Sequence, residues 1–107
     1  MIITSGFKSY DGLVIRSFRC RKTECLFQRE RVKEFEQIAN VACRRLAALH
    51  SAKELTDLLI PASNRLEPLI GDRKEQQHSI RINDQYRICF IWRDGNAEDV
   101  EITKHYR

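Results

Sequence analysis

Apolar residues recur along this chain with two periods, and the change between them separates a helical part from a stranded part. From Lys33 to Leu49 the apolar positions Phe35, Ile38, Ala39, Ala42, Leu46 and Leu49 fall three or four residues apart. That spacing puts them on one side of an amphipathic helix. From Ser79 onward the period is two. Ile80 and Ile82 alternate with Ser79, Arg81 and Asn83. Tyr86, Ile88, Phe90 and Trp92 alternate with Arg87, Cys89 and Ile91, and Val100 and Ile102 alternate with Glu101 and Thr103. Three strands are predicted, each turning its first-named set toward the helices. Asn83-Asp84-Gln85 and Asp94-Gly95-Asn96 are the predicted hairpin turns, with Asp-Gly the stronger signal.

Ahead of the long helix, Leu13-Val14-Ile15-Arg16-Ser17-Phe18 is short and β-branched and predicts a first strand. Arg21 to Phe27 predicts a short helix that buries Leu26 and Phe27. Ser51-Ala52-Lys53-Glu54 has the form of a capping box. It makes His50 a helix junction, where an imidazolium would favour the last carbonyls. A helix of one or two turns then carries Leu55, Leu58 and Leu59 and is closed by Pro61. Residues 61–77, with Pro61, Pro68 and Gly71, predict a long loop. The expected fold is α+β in the order β-α-α-β-β-β, with the helices on one face of a small, mainly antiparallel sheet. Residues 1–12 show no period, and residues 1–14 are expected to be a flexible arm or a misassigned start, which leaves 15–107 as the folded domain.

Bulk properties narrow the function classes. A chain of 107 residues is one domain, and 42% hydrophobic with 32% charged residues fits a soluble globular protein. No apolar run is long enough to span a membrane and no signal peptide is visible, so a cytoplasmic protein without a membrane partner is expected. The net charge of +4 favours an anionic partner. Cys20, Cys25, Cys43 and Cys89 form no C-x-x-C pair. No metal site or cofactor is expected, and free thiols are, with Cys43 and Cys89 packed as small hydrophobes.

The alternation has a chemical consequence. Extended to the end of the chain, it gives His105 the facing of Glu101 and Thr103, and so of Arg81 and Arg87. The 61–77 loop carries Arg73 into the first of these strands. A groove lined by Arg73, Arg81, Arg87 and His105 would suit phosphate, because the guanidinium fork matches its oxygens. In RNA the 2′-hydroxyl can attack the adjacent phosphorus. A base removes its proton, cations stabilise the phosphorane-like charge and an acid protonates the leaving 5′-oxygen. The plainer reading stays open on spacing alone. Exposed strand arginines are ordinary, a near-terminal histidine is usually solvated, and Arg44 and Arg45 read as the wet face of a helix. His50 and His78 sit at element ends, and Trp92 reads as core.

The segments Ile15-Arg16-Ser17-Phe18, Asn64-Arg65-Leu66-Glu67, Gly71-Asp72-Arg73 and Ser79 to Phe90 resemble the HigB branch of the RelE/ParE toxin superfamily, also called plasmid maintenance system killer proteins. The resemblance implies a RelE-like fold and a ribosome-dependent mRNA interferase. It implies metal-independent cleavage through the 2′-hydroxyl. It also implies a cognate helix-turn-helix antitoxin, with operator DNA reached only through that antitoxin. The family's functional arginines fall on Arg73 and Arg87. Its usual ending Asp-Tyr-His meets Lys104, His105 and Tyr106, so His and Tyr are exchanged and Lys replaces Asp. The catalytic set implied is thus Arg73, Arg87, Lys104, His105 and Tyr106, with Arg65, Glu67 and Arg81 on the RNA. Some relatives have His where this chain has Glu67 and Lys where it has Ile70. Relatives tend to begin Met-Ile-x-Ser-Phe, which would make Val14 the natural start. The alternative function is gyrase inhibition without catalysis, as in the ParE relatives.

Overall fold

A computed structural model of the chain describes residues 14–69 and 77–104. Helix α1 spans Arg21–Phe27 and helix α2 spans Ala39–Ser51. The helix expected from Lys33 begins instead as a 3-10 turn, Lys33–Phe35, and becomes regular only at Ala39. Phe35 and Ile38 are both buried. A tight turn eclipses positions three apart and so brings both to the core before α2 starts. In α2 the predicted stripe holds, and Ala42, Leu46 and Leu49 have no exposed surface.

The capping box lies three residues beyond its expected place. Ser51 is still helical, and its Oγ donates back to the carbonyls of Ala47 and Ala48 at 3.1 and 3.3 Å. Glu54 is the N-cap of a 3-10 helix, Leu55–Leu59, and Asp57 supplies the reciprocal carboxylate. Asp57 accepts the amides of Lys53 and Glu54 at 2.8 and 3.1 Å, and these bonds hold its carboxyl below the usual range. Ser51 had nearer acceptors inside its own last turn, so it capped nothing. The stretch read as loop also carries structure: a 3-10 turn, Ala62–Asn64, and a short strand β1, Glu67–Pro68. Proline is tolerated there because β1 is an edge strand.

Strands β2 (Gln77–Arg81), β3 (Tyr86–Arg93) and β4 (Asn96–Lys104) complete an antiparallel sheet in the order β1-β2-β3-β4. The β3–β4 hairpin closes on Asp94 and Gly95 with φ of 53° and 79°. This is the mirror-image turn whose twist matches the strands. Between β2 and β3 the Asn83 Oδ1 accepts the amides of Gln85 and Tyr86, both at 2.8 Å.

The expected first strand is reduced to two parallel bridges on the free edge of β4, Ile15 to Ala97 and Phe18 to Val100. The cause is a bulge. Cys89 pairs Glu101 and Ile91 pairs Glu98, so β4 spends one residue more than β3, and Asp99 takes a φ of 52°. The bulge also turns Ala97 into the core, against simple alternation. Leu13 and residues 1–12 lie outside the described residues. The core fills the space between the helices and the inner sheet face, where Ile80, Ile88, Phe90 and Val100 are fully buried. The α+β architecture, helices on one face of an antiparallel sheet, is the one expected.

Two buried polar groups join the layers. Thr23 in α1 accepts the Ile102 amide of β4 on its Oγ1 at 2.9 Å. His50, at the end of α2, accepts the Val14 amide on its carbonyl and the Ile15 amide on Nδ1, both at 3.0 Å. Its Nδ1 is therefore unprotonated, and burial pushes its pKa below the usual value of 6.5. It is a neutral acceptor, not the helix-capping imidazolium the sequence suggested. Thr23→Val, which keeps the shape and removes the acceptor, should cost about 1–3 kcal/mol in urea unfolding. The His50 sign follows from its lowered folded pKa: its contribution is complete above the unfolded value and is lost as pH falls below about 6.5. The melting temperature should drop between pH 7 and pH 5, and by less in His50→Asn.

Candidate nucleic-acid interface

The outer sheet face, away from the helices, is built as two cross-strand rows. In one, Glu67, Ser79, Cys89 and Glu101 lie opposite one another across all four strands. In the next, Arg81, Arg87 and Thr103 do the same across β2, β3 and β4. Alternation predicted that Arg81 and Arg87 share a face, and the register makes them direct partners. Like charges directly opposite repel, and each arginine has found a carboxylate. Arg81 pairs with Asp84 in the β2–β3 turn. Arg87 reaches back over β2, where Nη1 donates to Glu67 Oε1 and Ser79 Oγ, each at 3.3 Å.

Arg87 is held closely for a residue on an outer face, with only 13% of its side chain exposed. Ser79 beneath it is fully buried. Two acceptors on one nitrogen orient the planar guanidinium, and among the described residues Nε and Nη2 are left for a further anion, a geometry that suits phosphate. Glu67 is half exposed, so a ligand can reach the same pair. Cys89 Sγ and Thr103 Oγ1 lie 3.4 Å apart in the neighbouring positions; Cys89 thus stands on the outer face rather than in the core.

The remaining candidates are placed differently. Arg65 is exposed and follows the Ala62–Asn64 turn with a φ of 47°. Lys104 is opposite Tyr86 and holds its Nζ 5.9 Å from that ring, on the helix side of the sheet. It does not meet Arg87. Arg73, His105 and Tyr106 lie outside the described residues. His78 and Trp92 both pack on Phe90, with ring centroids 6.2 and 6.4 Å away, and serve the core. Two concave grooves also lie on the helix side. One, of about 410 Å³, is lined by Glu34, Gln37, Asn83 and Tyr86 among others; the second, of about 280 Å³, lies beside Cys43. Neither includes a cation of the outer face. The contact that sequence reasoning missed is Glu67 with Ser79 as the seat of Arg87. Its signal was weak, a two-residue edge strand around a proline.

A small antiparallel sheet with helices on one face and paired arginines on the other defines a class of compact α+β proteins with a polar, cation-bearing outer surface. Within that class, the profile of the HigB family, RelE-like toxins of type II toxin–antitoxin systems, matches residues 16–105. The chain belongs to this family. Toxin HigB-1 of Vibrio cholerae is 43% identical over 68 residues, which are 64% of this chain and 70% of that protein. An uncharacterized protein of Haemophilus influenzae is 28% identical over 65 residues, 61% of this chain and 63% of the relative. As a toxin of such a system, the protein has a cognate antitoxin as partner. Among the described residues no helix is long and apolar enough to cross a membrane.

The Glu67–Arg87 pair, open to water on its half-exposed Glu67 side, should contribute little to stability, since solvent-accessible pairs are worth about 0–1 kcal/mol. Glu67→Gln should therefore melt within a few degrees of the wild type. A loss of more than about 2 kcal/mol would show that the pair holds β1 in place and is not reserved for a ligand.

Proposed function

We propose that this toxin is a ribosome-dependent mRNA interferase that cleaves translated mRNA by attack of the 2′-hydroxyl on the adjacent phosphorus. The observation that carries the proposal is Arg87: it is fixed by Glu67 and Ser79, has nitrogens to spare and stands directly beside Arg81. A preset cation of this kind stabilises charge as it develops on the phosphorane-like transition state and needs little reorganisation. Arg81 and Arg65 bind flanking phosphates. Glu67 orients Arg87 and pairs with it at 3.3 Å. Arg73, His105 and Tyr106 complete the site, with Arg73 adding charge stabilisation and the His–Tyr pair moving protons to and from the 2′- and 5′-oxygens. Lys104, turned toward Tyr86, takes no part in this scheme. The nucleophile is the RNA's own hydroxyl, so the reaction calls for no cofactor. The toxin unit is residues 15–107. Its partners are the ribosome with its mRNA in the cytoplasm and a helix-turn-helix antitoxin, through which alone it meets operator DNA.

Expression without the antitoxin should arrest growth, and primer extension should reveal new 5′ ends within translated mRNA. Arg87→Gln, which keeps the side chain's bulk over Ser79, should fold and lower cleavage by about 100-fold or more. A natively melting Arg87→Gln protein with full cleavage activity would remove Arg87 from the chemistry. Growth arrest with intact mRNA and lost DNA supercoiling would replace this function with gyrase inhibition.

A further inference from the structure

Of the two arginines of α2 read as a solvated helix face, Arg44 is exposed as expected, but Arg45 is half-buried. Among the described residues its Nε, shut off from water, has no acceptor, and its Nη2 meets Ser63 Oγ at 3.4 Å. Its charged neighbours are Arg44 and Arg81, and burial together with these two guanidiniums pushes its pKa down. Among the described residues no carboxylate lies within ion-pair distance of Arg44 or Arg45. The carboxylate on Arg81 is Asp84, whose side chain is 94% exposed. A pair open to water in this way is easily exchanged for another anion.

A half-buried guanidinium is ordinarily compensated by an anion. Among the described residues Arg45 has none in ion-pair distance and an unpartnered, buried Nε, and the nearby Ala62–Asn64 turn, whose Ser63 it meets, packs beside β2. The cluster is also continuous with the outer face, because Arg81 is the cross-strand partner of Arg87. A path of positive charge therefore runs from Arg87 through Arg81 to Arg45 and Arg44, around the β2 side of the sheet.

We propose that Arg45, with Arg44 and Arg81, forms a second phosphate-binding site that holds the RNA backbone beyond the phosphate at Arg87. The proposal rests on the RNA-cleaving function argued above. It extends the footprint of the RNA from one sheet face to the exposed side of α2. Continuity with Arg87 favours a nucleic-acid backbone, a chain of evenly spaced anions, over an isolated acidic side chain.

The test measures binding of a short 2′-O-methyl oligoribonucleotide, which lacks the attacking hydroxyl, by fluorescence anisotropy over a range of salt. Loss of one phosphate contact should lower the slope of log affinity against log salt by about 0.7 and weaken low-salt binding on the order of three- to tenfold. Arg45→Gln and Arg44→Gln should each show this effect. Arg44→Gln alters only an exposed position and guards against a folding defect in the other variant. Wild-type binding with both variants unchanged in affinity and slope would overturn the second site and leave the RNA function standing. A wild-type protein that ignores the RNA at every salt concentration would overturn both. Unchanged RNA binding with weakened binding of a poly-glutamate peptide would assign the cluster to an acidic protein partner, against the proposal.

Discussion

The burial of Ile88 and Phe90 places everything on the outer face. Both are fully buried in the middle of β3, the central strand of the hairpin pair. In a strand, a shift of one residue exchanges the faces entirely. Moving Arg87 inward would therefore expose two large apolar side chains and bury a guanidinium, and each step costs kilocalories. The Asp94–Gly95 turn fixes the register with β4, and pairing of Ser79 with Cys89 fixes it with β2. The position of the cations is thus a by-product of hydrophobic packing.

What could be read from the sequence followed the same division. The α2 stripe from Ala42 to Leu49, the facing of Ile80, Ile88, Phe90 and Val100 and the Asp-Gly hairpin are all local signals, and each appears where its period put it. So does the shared facing of Arg81 and Arg87. What escaped depends on competition or on distant partners. Ser51 had carbonyls of its own helix within reach and left the capping role to Glu54 and Asp57. The bulge at Asp99 is a one-residue surplus that no periodicity announces, yet it brings Ala97 inside and thins the first strand to two bridges. His50 looked like a charged helix cap because its acceptor role needs the Ile15 amide, 35 residues away. The candidate site was legible in its arginines but not in their seating, since β1 exists only through its pairing with β2.

Family and geometry carry different parts of the functional argument. Membership identifies a toxin of a two-component system. One fold can host more than one activity, so the chemistry has to come from the face itself. There, Arg87 is held in place by a glutamate and a serine, while Arg81 on β2 pairs with a solvent-exposed Asp84 and, among the described residues, the α2 arginines pair with no carboxylate. The contrast is informative. Arg87 has the fixed orientation that the proposed transition-state stabilisation requires, and among the described residues Arg44 and Arg45 have no carboxylate in ion-pair distance, as the proposed backbone contact requires.

The way the sheet ends has a separate consequence, for what its edges offer to other chains. An open strand edge is a template for other chains. Here one edge is only two residues long and contains Pro68, and the other is covered by the chain's own 15–18 segment running parallel to β4. The bulge at Asp99 adds a kink beneath that cover. Further along, the part of β2 beyond its pairing with β1 ends in charged Arg81. Among the described residues, then, no long flat edge invites strand addition.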